Sequence, residues 1–181
     1  MLAPGVAVLL GFVALVGNPW LDLDLALADS DSALRVATVL LSYPAWFVDI
    51  DQAGPFYFWF GNLRTALFVA LAVVGLNKVS GWVSGTAGGK ALFVTTAGAT
   101  TLSAVVAGLA SGFVTMVLVD DRSTLPYLNP GRPEEFFLVQ LSSSAAFGVL
   151  FGSVLGAVVA AAKRREPEKR ERPANAPKSL W

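Results

Sequence analysis

The sequence predicts an all-α integral membrane protein: a four-transmembrane-helix bundle with an extracytoplasmic amphipathic, interfacial helix. Three observations predict it. Of 181 residues, 55% are hydrophobic and only 14% are charged, whereas a soluble domain carries about 25% charged residues. The mean hydropathy is +0.62. Apolar runs near the length of about 20 residues that crosses a bilayer core recur along the chain.

The first span covers about residues 2–17. A cleaved signal would carry a basic leader and an Ala-x-Ala site before Asn18. Neither is present, so a retained helix is expected. The outer loop, 18–56, opens on the Asp-rich stretch LDLDLALADSDS, a solvated lead-in. Its middle, SALRVATVLLSYPAWFVDI, is too apolar for a solvated loop, and Pro44 breaks it. An interfacial helix over about 32–43 fits, with Asp31 or Ser32 as N-cap. A re-entrant segment or a partner surface is the alternative.

The second span covers about 57–77. Its outer end carries Phe56, Tyr57, Phe58, Trp59 and Phe60, which read as an interfacial aromatic belt. The third covers about 91–119 and the fourth about 136–162, both long enough to tilt or project. Residues 163–181 form a basic, Pro-rich tail of the composition that stays disordered alone.

Charge orients the bundle. The tail and the loop between spans two and three hold Lys78, Lys90, Lys163, Arg164, Arg165, Lys169, Arg170, Arg172 and Lys178. The other side holds only Arg35, Arg122 and Arg132, among many acids. The positive-inside rule therefore puts both termini in the cytoplasm. The Ala-, Val- and Gly-rich composition is common in high-GC bacteria, and the expected location is a bacterial inner membrane.

The last two spans share a feature that soluble helices avoid. Ser144, Gly148, Gly152, Gly156 and Ala160 recur every fourth residue on span four, although glycine is a poor helix former in water. In lipid, small residues let helix backbones approach closely, so a glycine zipper is expected. Thr96, Thr100, Ala104, Gly108 and Gly112 form a second such row on span three. Pairing the rows by depth sets Gly112 against Ser144, Gly108 against Gly148 and Ala104 against Gly152.

Few residues could carry chemistry. There is no Cys and no His, which removes disulfides, thiolate catalysis and the usual zinc and haem ligands; no cofactor is expected. Arg64 is the one charge inside a span, a functional candidate by position. It could bind an anionic lipid, quinone or substrate, snorkel outward, or pair with Asp49, Asp51, Glu134 or Glu135. Asn62 could share its role. The Asp pairs at 22/24, 29/31, 49/51 and 120/121 lack any EF-hand spacing and read as a solvated acidic face. Thr95, Thr96, Thr100, Thr101 and Ser103 on span three and Gln140, Ser142, Ser143 and Ser144 on span four are polar, and their hydroxyls can bond carbonyls of their own helices without any substrate. The run SGTAGGK at 84–90 lacks phosphate-loop spacing. No basic excess points to nucleic acid.

By elimination, the expected function is a non-catalytic accessory or scaffolding subunit of a larger membrane complex. Its partners are other membrane subunits and lipids. A small homo-oligomeric channel or transporter is the alternative. A lipid-modifying enzyme is a third option, and it would bring Arg64, Glu134 and Glu135 together.

Overall fold

The computed structural model describes residues 3–18, 43–83, 88–119 and 133–170. These residues are helical or irregular, with no strand among them. Five helices follow in order: α1 (Ala3–Val16), α2 (Ile50–Ala53), α3 (Pro55–Val83), α4 (Gly89–Leu118) and α5 (Pro133–Arg170).

Three helices, α3, α4 and α5, are long and apolar enough to cross a membrane. The chain is thus an all-helical protein of multi-pass membrane character. The expected first span is a shorter object. α1 has 14 residues, and at about 1.5 Å per residue it reaches about 21 Å, short of a hydrocarbon core of about 30 Å. Among the described residues three spans, not four, have the necessary length. The expected interfacial helix lies outside the described residues except for Tyr43, and Tyr43 stands in a bend. α5 runs on through 163–170, so the first part of the expected tail is helical. Lys, Arg and Glu are good helix formers, and a helix need not stop where the membrane does.

α4 is the centre of the bundle, packed against α5 and against α3, while α1 leans on α5 and α3. One aromatic-rich core joins them. It holds Leu9, Val13, Tyr43, Phe68, Ala72, Leu76, Ala104, Phe147, Phe151 and Leu155. Phe147 stacks on Tyr43 at 4.0 Å between ring centroids and takes Phe68 edge-on at 5.3 Å. Phe12 of α1 stacks on Phe151 at 4.4 Å, the contact that ties the short helix to the long ones.

The aromatic belt divides. Phe56 and Phe60 are buried and meet Phe136 of α5 edge-on. Tyr57 and Trp59 remain exposed. The reason is helical periodicity: positions four apart share a face, and that face is turned to α5.

The entry to α3 is built locally. Asp49 caps α2, its carboxylate accepting from Asp51 N at 2.8 Å and Gln52 N at 3.4 Å. Asp49 is therefore a structural cap. Gly54 takes a positive φ of 77°, a conformation glycine adopts without a Cβ penalty. Pro55 then opens α3, a position that needs no backbone donor.

Candidate functional site

The site grows from one short stretch of non-helical backbone. Residues 43–49 are irregular, yet Tyr43 and Pro44 are fully buried. Burying such backbone leaves N–H and C=O groups without helical partners. In hydrocarbon each unmet group costs several kcal/mol, so irregular backbone survives at membrane depth only when protein satisfies it.

α3 supplies that satisfaction from three side chains within four residues. Asn62 reaches Phe47 twice, accepting from its N–H at 2.9 Å and donating to its carbonyl at 2.9 Å. Thr65 does the same for Ala45, accepting from its N–H at 3.1 Å and donating to its carbonyl at 3.0 Å. Arg64 donates to the Tyr43 carbonyl at 2.7 Å. The bonds fall on alternate residues of the segment, 43, 45 and 47. Gly61 completes the fit, because a Cβ there would strike the Phe47 ring.

The Arg64 guanidinium also lies over two rings, 4.7 Å from the centroid of Tyr43 and 5.0 Å from that of Phe60. These are cation–π distances. The expectations for Arg64 were a bound anion, a snorkelling side chain or a salt bridge. The structure adds a partner foreseen by none of them, the backbone and ring of the chain's own Tyr43. Asn62 joins Arg64 in holding this backbone, and Thr65, not among the candidates read from sequence, makes as many bonds to it as Asn62.

Tyr43 carries the segment into the middle of the bundle. Its hydroxyl donates to the Ala104 carbonyl at 2.6 Å, near the midpoint of α4. Around it lies a buried polar cluster. Gln140 donates to Ser144 at 3.2 Å, and Ser111 donates to the Gly108 carbonyl at 3.0 Å. Most other span hydroxyls bond within their own helix: Thr95 to Ala91, Thr101 to Ala97, Ser103 to Ala99, Ser142 to Leu138 and Ser143 to Gln140. Among the described groups, the buried hydroxyls of Thr96 and Thr115 find no partner.

The α5 glycines pack closely on α4, but in a different register from the one expected and mostly on the neighbouring row Phe93, Ala97 and Thr101. A Cβ built on Gly148 would lie 2.6 Å from Thr101 Cα. On Gly152 it would lie 2.8 Å from the Ala97 carbonyl oxygen, and on Gly156 2.8 Å from that of Phe93. A Cβ on Gly108 would strike Ser144 Oγ, and one on Gly112 would lie 3.0 Å from the Phe136 ring. The partners expected for Ser144, Gly148 and Gly152 were Gly112, Gly108 and Ala104. The observed ones sit one to two turns nearer the start of α4. A symmetric hairpin would leave the first turn of α5 projecting past the end of α4. The observed register instead brings Phe136 and Phe137 in beside Gly112. Ala104 is fully buried and faces Tyr43. Ala160 lies outside these contacts, in the wall of a groove shared with α4.

No group of three or more His, Cys, Asp or Glu residues that could hold a metal occurs among the described residues. Comparison with known protein families, characterised proteins and solved structures finds no match.

Proposed function

We propose that this protein is a non-catalytic accessory or scaffolding subunit of a larger bacterial inner-membrane complex. One observation carries the reading: the polar side chains that α3 brings into the membrane are bonded to the chain's own backbone. Asn62, Arg64 and Thr65 hold residues 43–47. A group held in this way serves shape rather than turnover. What the molecule offers outward is apolar. Val94, Leu102, Phe113 and Val117 of α4 are exposed, as are Leu138, Val139, Val149 and Val154 of α5. These faces suit lipid or neighbouring spans.

In this reading α1 counts as the fourth helix of the bundle. Both termini lie on the basic, cytoplasmic side, following the positive-inside rule. The span-four glycines act as an internal zipper. Their contacts are with Thr101, Ala97 and Phe93 of the same chain, which disfavours a homo-oligomeric pore lined by those glycines.

Native mass spectrometry of the tagged protein, extracted in mild detergent at natural expression level, tests the reading. Foreign subunits bound in fixed ratio are the expected result. A ladder of multiples of the 19.0 kDa chain with nothing else attached would overturn it in favour of the channel.

A further inference from the structure

A groove opens at the lysine end of the bundle. It lies between the start of α4 and the end of the membrane stretch of α5, lined by Gly89, Lys90, Phe93, Val94, Ala157, Ala160 and Ala161. Its volume is about 470 Å³, within the range of about 300–1,000 Å³ of small-ligand sites. Its origin is visible in the contacts. Gly156 draws α5 onto Phe93, where a Cβ would lie 2.8 Å from the carbonyl oxygen. Beyond that point alanines replace larger side chains, and the space between the helices stays open.

We infer that this groove binds an anionic phospholipid, with one acyl chain along the alanine floor and the phosphate at Lys90. Depth and charge together select this occupant. Phe93, Val94, Ala157 and Ala161 give an apolar trough that opens onto the membrane-facing side, with Val94 64% exposed. Lys90 is exposed at the mouth, one turn nearer the helix end. α4 has 30 residues and at about 1.5 Å per residue exceeds the hydrocarbon thickness, so its first turn lies at headgroup level. Lys90 and Lys78 are both exposed at this end, and of the two only Lys90 lines the groove. Basic pockets between spans are the recognised setting for anionic headgroups. A zwitterionic lipid would fill the trough equally well but gain little from Lys90.

The test is lipid retention by the full-length protein, released from nanodiscs of equimolar phosphatidylglycerol and phosphatidylcholine and read by native mass spectrometry. Phosphatidylglycerol is expected to stay bound in preference. Lys90→Gln is expected to lower its retention about fivefold, the worth of one lysine near the membrane surface. Lys78→Gln, at the same end but outside the groove, leaves retention unchanged. Ala160→Phe, which fills the trough, removes retention of either lipid. Equal retention of the two lipids by the unaltered protein overturns the inference. So does an equal effect of Lys78→Gln and Lys90→Gln, which would mean diffuse charge attraction and no site. The two lysine variants are at exposed positions and decide the matter even where Ala160→Phe does not fold.

Discussion

Replacing Gly148 by alanine adds a single methyl group, and the structure says where it goes. The new Cβ lies 2.6 Å from Thr101 Cα and 3.2 Å from both Thr101 Cβ and Cγ2. Relaxed carbon–carbon contact is about 3.5–4.0 Å. The obstacle is backbone, so α4 and α5 must part by about 1 Å along their tightest contact. Overpacking of this kind costs about 1–3 kcal/mol. Alanine also improves helix propensity, by about 0.5–1 kcal/mol relative to glycine, which would mask part of the loss. Gly98→Ala on α4 is the reference, since a Cβ there has nothing within 4 Å. Both variants share the propensity gain, so their difference isolates packing. A difference of about 2 kcal/mol is about thirtyfold in the unfolding equilibrium. The assay is reversible unfolding in mixed micelles with rising dodecyl sulfate, followed by circular dichroism. Gly148→Ala is expected to unfold at markedly lower detergent fraction than Gly98→Ala. Coincident midpoints would refute the claim that the glycines of α5 are there for close approach.

The chain has no cysteine, so paired cysteines report register directly: Gly108→Cys with Ser144→Cys is expected to form a disulfide, because a Cβ at Gly108 lies 3.3 Å from Ser144 Cβ, near the usual separation of about 3.8 Å. Gly112→Cys with Ser144→Cys, the pairing expected from hairpin symmetry, is expected to stay reduced under the same oxidant. Thr65→Val orphans the Ala45 N–H and C=O and is expected to cost about 1–3 kcal/mol, with faster hydrogen exchange at Ala45 and Phe47. The same change at Thr96, whose buried hydroxyl has no described partner, is expected to be neutral or stabilising by up to about 1 kcal/mol in the mixed-micelle assay. If both threonine variants lose stability alike, the clamp is not what distinguishes Thr65.

The long helices were legible because their signal is redundant. Every residue of an apolar run contributes to the same inference, and the cores of α3, α4 and α5 survive small errors at their ends. The glycines of α5 were legible for a different reason, being costly residues at a fixed spacing. Their partners were not, because register depends on where the two helix ends sit, and α5 begins at Pro133, ahead of the start near 136 that the apolar run suggests. The aromatic run at 56–60 misled by composition. Five adjacent rings look like a belt until the helical period turns Phe56 and Phe60 inward. The clamp was half visible. Arg64 stood out as a charge in a span, and Pro44 marked a break. Nothing in one dimension says that Arg64 faces the carbonyl of Tyr43, or that Thr65 faces Ala45 some twenty residues away.

That clamp changes how the lone arginine is weighed. A charge within a span signals function because its burial is expensive and needs a reason. Here the structure supplies one. Irregular backbone that enters the bundle needs donors and acceptors from the protein, and Asn62, Arg64 and Thr65 provide five bonds to residues 43, 45 and 47. A lysine at 64 would donate to one carbonyl but would not lay a planar cation over the Tyr43 and Phe60 rings. Arg64→Lys is therefore expected to retain the fold and loosen the segment, seen as raised hydrogen exchange at Ala45 and Phe47 with unchanged helical content. Exchange as slow as in the unaltered protein would mean that Asn62 and Thr65 suffice. The arginine would then again need an explanation outside the fold.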